Sequence, residues 1–183
     1  MIRVMEIVGV ARPVTRYGEA VLHRRCTEVT AFGPALERLV ADMFASMYAA
    51  EGVGLAANQI GVGVRVFVYD CPDATGENQL GHVVNPVPRV VAGFASPVTE
   101  DEGCLSVPGQ RAEVARPGMA TVTGLDMRGH PVTVTGTGLL ARCLQHETDH
   151  LNGVTYIDLL PGAERRALLA AAGLVAADRG PRD

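Results

Sequence analysis

The sequence predicts an α+β domain with mainly antiparallel sheet. Short segments rich in β-branched residues follow one another through the middle of the chain, each bounded by Gly or Pro turns. Stretches with apolar residues at helical spacing flank that run on both sides. Strands gathered between helices, rather than alternating with them, favour antiparallel pairing.

The first helix is expected from about Pro34 to Ala50. Leu36, Leu39, Val40, Met43, Met47 and Tyr48 recur every three to four residues, and Pro34 suits a first-turn position. Gly52 and Gly54 are expected to end it. Strands are expected at Val64 to Tyr69, Val83 to Asn85, Thr121 to Asp126 and Val132 to Thr135. Arg128-Gly129-His130 reads as the hairpin turn between the last two. A second helix runs from about Gly138 to Leu151, with Gly153 as its stop. Pro161 opens a third stretch whose Ala and Leu content favours helix. The expected division is a catalytic unit over 1–160 and a C-terminal helix and tail over 161–183.

A chain of 183 residues that is 48% hydrophobic and 20% charged fits one globular domain with a single sizeable core. Its net charge of −4 argues against nucleic-acid binding by bulk electrostatics. No stretch approaches the roughly 20 apolar residues of a spanning helix. The start of the chain has Arg3 and only the brief apolar run Ile7 to Ala11, which does not read as a secretory signal. The expected location is therefore the cytoplasm, with no membrane partner. Cys26, Cys71, Cys104 and Cys143 show no Cys-x-x-Cys pair, so burial or metal binding is expected in preference to disulfides.

The stretch with most chemistry is His146-Glu147-Thr148-Asp149-His150. On a helix its two imidazoles stand one turn apart on one face, with Cβ atoms about 5–6 Å apart, and can grip one divalent cation. Glu147 then lies beside the ion, where it can take a proton from water. Leu139, Cys143, His146 and His150 share that face at spacings of four, three and four, so it must look inward. Leu139 and Cys143 are expected to line a substrate pocket, with Val53 near the substrate backbone.

A catalytic metal site needs a third protein ligand and an open position. Cys104, Cys143, Cys71, His82, His130 and a distant carboxylate are all candidates. Cys143 is on the right face, but one helix supplying all three ligands would crowd the ion against its own backbone. A ligand from a separate strand gives a better tetrahedral spread, and the segment from Glu102 to Ser106 is a plausible strand. Spacing alone does not decide.

Three segments resemble, in order and separation, the signature motifs of the peptide deformylase family: Gly52-Val53-Gly54-Leu55-Ala56-Ala57-Asn58-Gln59, Glu102-Gly103-Cys104-Leu105-Ser106 and Gln145-His146-Glu147-Thr148-Asp149-His150-Leu151. The resemblance implies antiparallel sheets packed around a central helix that carries the histidines, plus a C-terminal helix. It makes Cys104, His146 and His150 the metal ligands and Glu147 the acid/base. It implies that Gln59 and the backbone amide of Leu105 steady the oxyanion, while Arg111 helps hold the substrate, with Gly54 and Gly103 alongside. A plainer role for Arg111 is neutralising Glu113 or Glu102. Asn58 stands where the family pattern tolerates several residues. The implied cofactor is one divalent ion, ferrous iron in the cell, with Zn, Ni or Co able to replace it. The implied substrates are the N-formylmethionyl ends of nascent polypeptides, whose origin implies a transient ribosome contact. Two other readings are an endopeptidase sharing only the pentad and an inactive relative kept as a binding module.

Overall fold

Strand β2 (Val66–Pro72) is apolar at almost every position because both of its faces are covered. Val66 and Val68 point toward helix α1 (Pro34–Ala49) and pack with Leu36, Val40, Met43 and Met47. The intervening Phe67, Tyr69 and Cys71 point the other way, toward Leu140, Ala141, Cys143 and Leu144 of helix α2 (Gly138–Leu151). This computed structural model describes residues 8–89 and 96–174. The reading of Arg3 and Ile7 and that of the tail past Leu174 fall outside the described residues.

Five strands form one antiparallel sheet in the order β1-β2-β3-β6-β7, where β1 is Gly54–Ala56, β3 Asn78–Arg89, β6 Met119–Leu125 and β7 Pro131–Thr137. β6 and β7 pair in continuous register from Met119 opposite Thr137 to Leu125 opposite Pro131. Their turn is closed by Asp126, whose carboxylate accepts the backbone N–H groups of Arg128 and His130 at 2.8 and 2.9 Å. A second sheet is the hairpin of β4 (Pro97–Cys104) and β5 (Val107–Pro117).

Helix α2 lies between the two sheets. Its apolar stripe meets the five strands, while Arg142 and His146 face the hairpin and bond to it at Val98, Val114 and Glu102. A third cluster joins Val107, Ala112 and Val114 of the hairpin to Tyr17, Tyr156, Ile157 and Leu169, the last from helix α3 (Gly162–Ala171). The expected α+β class, with antiparallel sheets around a central helix, is what the fold displays.

Two expectations need correction. The β4–β5 hairpin, expected only as a short strand near Glu102 to Ser106, runs far beyond it in both directions. Helix α1 does not end on a glycine in left-handed conformation: Glu51 takes that place, at φ 55°. Its N–H meets the carbonyl of Tyr48 at 3.0 Å, and the Gly52 N–H meets that of Met47 at 2.9 Å, a Schellman closure. Gly52 is instead packed against the second motif, and a Cβ there, 2.7 Å from Leu105 Cδ1, would require the Leu105 side chain to shift.

Candidate metal centre and cleft

Three polar atoms from two elements converge. His146 and His150, one turn apart on α2, bring their Nε2 atoms to 3.1 Å of each other. Cys104, the last residue of β4, places Sγ 3.2 Å from His150 Nε2. All three donor atoms lie within 4.8 Å of one another. Ligands held tetrahedrally at metal–nitrogen and metal–sulfur lengths stand about 3.3–3.6 Å apart, so the donor set fits one ion. A sulfur and two imidazoles also suit a divalent transition metal better than calcium or magnesium.

Behind His146 stands an ionic network. Its Nδ1 lies 2.6 Å from Glu102 Oε1. Glu102 also accepts two hydrogen bonds from Arg116, both at 2.7 Å, and one from Arg142 at 2.9 Å. Burial alone would raise the Glu102 carboxyl, but Arg116 and His146 outweigh it and hold the group well below the usual carboxylate range. The charged carboxylate fixes the ring so that Nε2 faces Cys104. Tyr156 stacks on the same ring, with centroids 6.3 Å apart. Burial above all pushes His150 well below its ordinary pKa, which favours the neutral, ligating form.

Glu147 is buried, and its Oε2 has no hydrogen-bond partner among the described residues. Burial pushes its carboxyl up to about 7. Gly54 passes directly over it: a Cβ on Gly54 would sit 2.5 Å from Glu147 Oε1 and 2.6 Å from Cys143 Sγ. Gln59 comes from the 3₁₀ turn Ala57–Ile60. Its Oε1 accepts the Ala56 N–H at 2.9 Å, which leaves the amide NH₂ aimed at Cys104 Sγ (3.6 Å) and Ser106 Oγ (3.3 Å).

These groups open onto a cleft of about 980 Å³. Val53, Gly54, Gln59, Gly103, Cys104 and Leu105 line it, as do Arg111, Leu139, Cys143, His146 and Glu147; His150 lies behind them, fully buried. Leu139 is 40% exposed at the mouth, so the shared helix face runs from solvent at Leu139 to core at His150. Arg111 does not neutralise Glu113 or Glu102. Its guanidinium reaches Asp101, through the carbonyl at 3.2 Å and the carboxylate at 3.9 Å, and the side chain is 63% exposed. Cys143 forms wall rather than a fourth donor, its Sγ 3.7 Å from the Val53 carbonyl. His82, a candidate third ligand, is a half-buried strand residue whose Nε2 accepts the Met127 N–H at 2.9 Å. Sequence reasoning missed Arg116, Arg142 and Tyr156. Glu102, within the second motif, was the available signal.

Residues 11–166 match the family model of polypeptide deformylase. The chain belongs to that family. It is 58% identical over 161 residues to peptide deformylase 2 of Streptomyces coelicolor, spanning 88% of this chain and 89% of the relative. Peptide deformylase 1 of Streptomyces avermitilis is 56% identical over 162 residues, spanning 88% of this chain and 75% of the relative. Among solved structures, the Ehrlichia chaffeensis peptide deformylase in complex with actinonin superposes with a TM-score of 0.82 at 33% identity. That match covers 88% of this chain and 95% of the other. This deformylase-family chain is thus a hydrolase acting on an N-formyl amide, with a Cys-His-His group that fits a single metal ion.

Proposed function

We propose that the chain hydrolyses the formyl group from the N-terminal formylmethionine of newly made polypeptides, with Cys104, His146 and His150 holding a ferrous ion that Zn, Ni or Co can replace. When bound, the ion supplies Lewis acidity, polarising the formyl carbonyl and acidifying water. Glu147 accepts a proton from the attacking water and passes it to the departing amine, so formate and a free N-terminal Met leave. A carboxyl with a pKa near neutrality suits both transfers. The Gln59 amide and the Leu105 N–H hold the oxygen on which charge develops, donors worth about 2.7–4 kcal/mol each in comparable sites. Arg111, Val53, Gly54 and Gly103 position the peptide, and Leu139 and Cys143 take the Met side chain.

The observation that carries this reading is the Glu147 carboxylate, its Oε2 without a hydrogen-bond partner among the described residues, buried next to three converging donors in a chain of this family. Residues 1–160 act as the catalytic domain and 161–183 as a C-terminal helix and tail. A substrate made on the ribosome supports reading the enzyme as cytoplasmic and in transient contact with the ribosome. Formate release from formyl-Met-Ala-Ser by anaerobically prepared protein tests the reading. Glu147→Ala is expected to lower the rate about 10²–10⁴-fold, and activity surviving that change overturns the mechanism.

A further inference from the structure

We propose that Asn58 is a positioning residue for the metal centre, holding the main chain of His150 so that its Nε2 faces Cys104. The inference rests on the ligand set proposed above.

The two histidines are steadied in different ways. The His146 ring is fixed through Nδ1 by Glu102 at 2.6 Å. His150 Nδ1 is buried and has no hydrogen-bond partner among the described residues. With no partner among the described residues at Nδ1, the side away from the other ligands, the ring's place follows from the backbone of the last turn of α2. The carbonyls of that turn lie beyond the intrahelical ladder and need outside donors. Asn58 supplies one to the ligand itself: it is fully buried, and its Nδ2 donates to the His150 carbonyl at 2.6 Å. That carbonyl also accepts the Gly153 N–H, at 3.1 Å. Arg65 and the Cys26 N–H serve the following carbonyl, that of Leu151, at 3.1 and 2.9 Å.

Asn58 belongs to the same 3₁₀ turn as Gln59, whose amide points at Cys104 Sγ. Two adjacent side chains therefore reach two of the three donors from outside, one at the thiol and one at the main chain of His150. The turn itself is anchored, since the Asn58 carbonyl accepts the Thr15 hydroxyl at 3.0 Å and the Gly61 N–H at 3.1 Å. A small shift at the helix end would change the 3.2 Å separation between His150 Nε2 and Cys104 Sγ.

The test is Co(II) binding to full-length metal-free protein, by chelator competition and by the visible and sulfur-to-cobalt absorption bands, for the parent, Asn58→Leu and Asn58→Ser. Loss of an outer hydrogen bond to a ligand weakens metal affinity about 10–100-fold, and that loss with shifted bands is expected in both variants. A purely structural role predicts a lower melting temperature of the metal-free variants with Co(II) affinity within twofold of the parent, and that result overturns the proposal. Should Asn58→Leu not fold, the smaller Asn58→Ser decides by the same criterion. A parent that shows no sulfur-to-cobalt band would refute the ligand set itself, a failure distinct from unchanged affinity in the variants.

Discussion

Gly54 has no room for a side chain, and the reason is chemical as much as steric. The space a Cβ would fill is occupied by the Glu147 carboxylate and the Cys143 thiol. Gly54→Ala is expected to fold but to turn Glu147 aside, lowering kcat/KM for formyl-Met-Ala-Ser about 10–100-fold, on the scale known for small misplacements at a reacting centre. Unchanged kinetics in a variant that melts like the parent would show that the carboxylate is not held there. Glu102 makes a contrasting case, because it is buried at the edge of the cleft and neutralises two buried guanidinium groups. Glu102→Gln leaves Arg116 and Arg142 undercompensated, a loss of about 3–5 kcal/mol, to be read from urea denaturation of the metal-free protein. The two histidines and Glu147 are legible in the sequence because an i, i+4 pair on a helix is a local pattern. Glu102 is not legible in the same way. Its partners lie 14, 40 and 44 positions away, and an arginine buried by a carboxylate reads in one dimension like any surface charge.

Elements followed the sequence where burial imposes a period. Helix α1 shows Leu36, Val40, Met43 and Met47 on one face, and β2 is sorted residue by residue between two cores. The β4–β5 hairpin escapes such reading. Thr99, Glu100, Asp101 and Glu102 are consecutive polar residues in a strand because the first three are exposed and Glu102, the buried one, is spent on the ion network with Arg116, leaving the apolar contacts of the hairpin to Val107, Ala112 and Val114 of β5. The end of α1 departs from the expected glycine stop for a local reason, in that Glu51 takes the left-handed position one residue before Gly52. A non-glycine residue in left-handed conformation costs roughly 1 kcal/mol. Glu51→Gly is therefore expected to stabilise the protein by about 0.5–1 kcal/mol and to raise its melting temperature by about 1–4 °C. A drop in Tm would mean that the Glu51 side chain, which lines the cleft, makes a compensating contact.

The whole molecule is built so that its proposed ligands bridge separate layers. Cys104 ends a strand of the two-stranded hairpin, whereas both histidines sit on the helix that packs against the five-stranded sheet. Metal binding would tie hairpin to helix, adding to the Glu102–Arg116–Asp149 bridge that already spans them. An ion that binds the folded chain but not the unfolded one adds RT ln(1 + [L]/Kd), about 2.7 kcal/mol at a hundredfold excess over Kd. For a chain of this size each kcal/mol moves Tm by about 2–4 °C. Chelation should accordingly lower the melting temperature by about 5–11 °C from that loading, and readdition should restore it. Cys104→Ser should show a smaller response because an alcohol is a poor substitute for a thiolate on a borderline-soft ion. His150→Ala should show almost none. The decisive measurement is the dependence of Tm on free metal concentration in the parent and the two variants. A slope that persists unchanged in His150→Ala would place the stabilising ion somewhere other than between the hairpin and the helix.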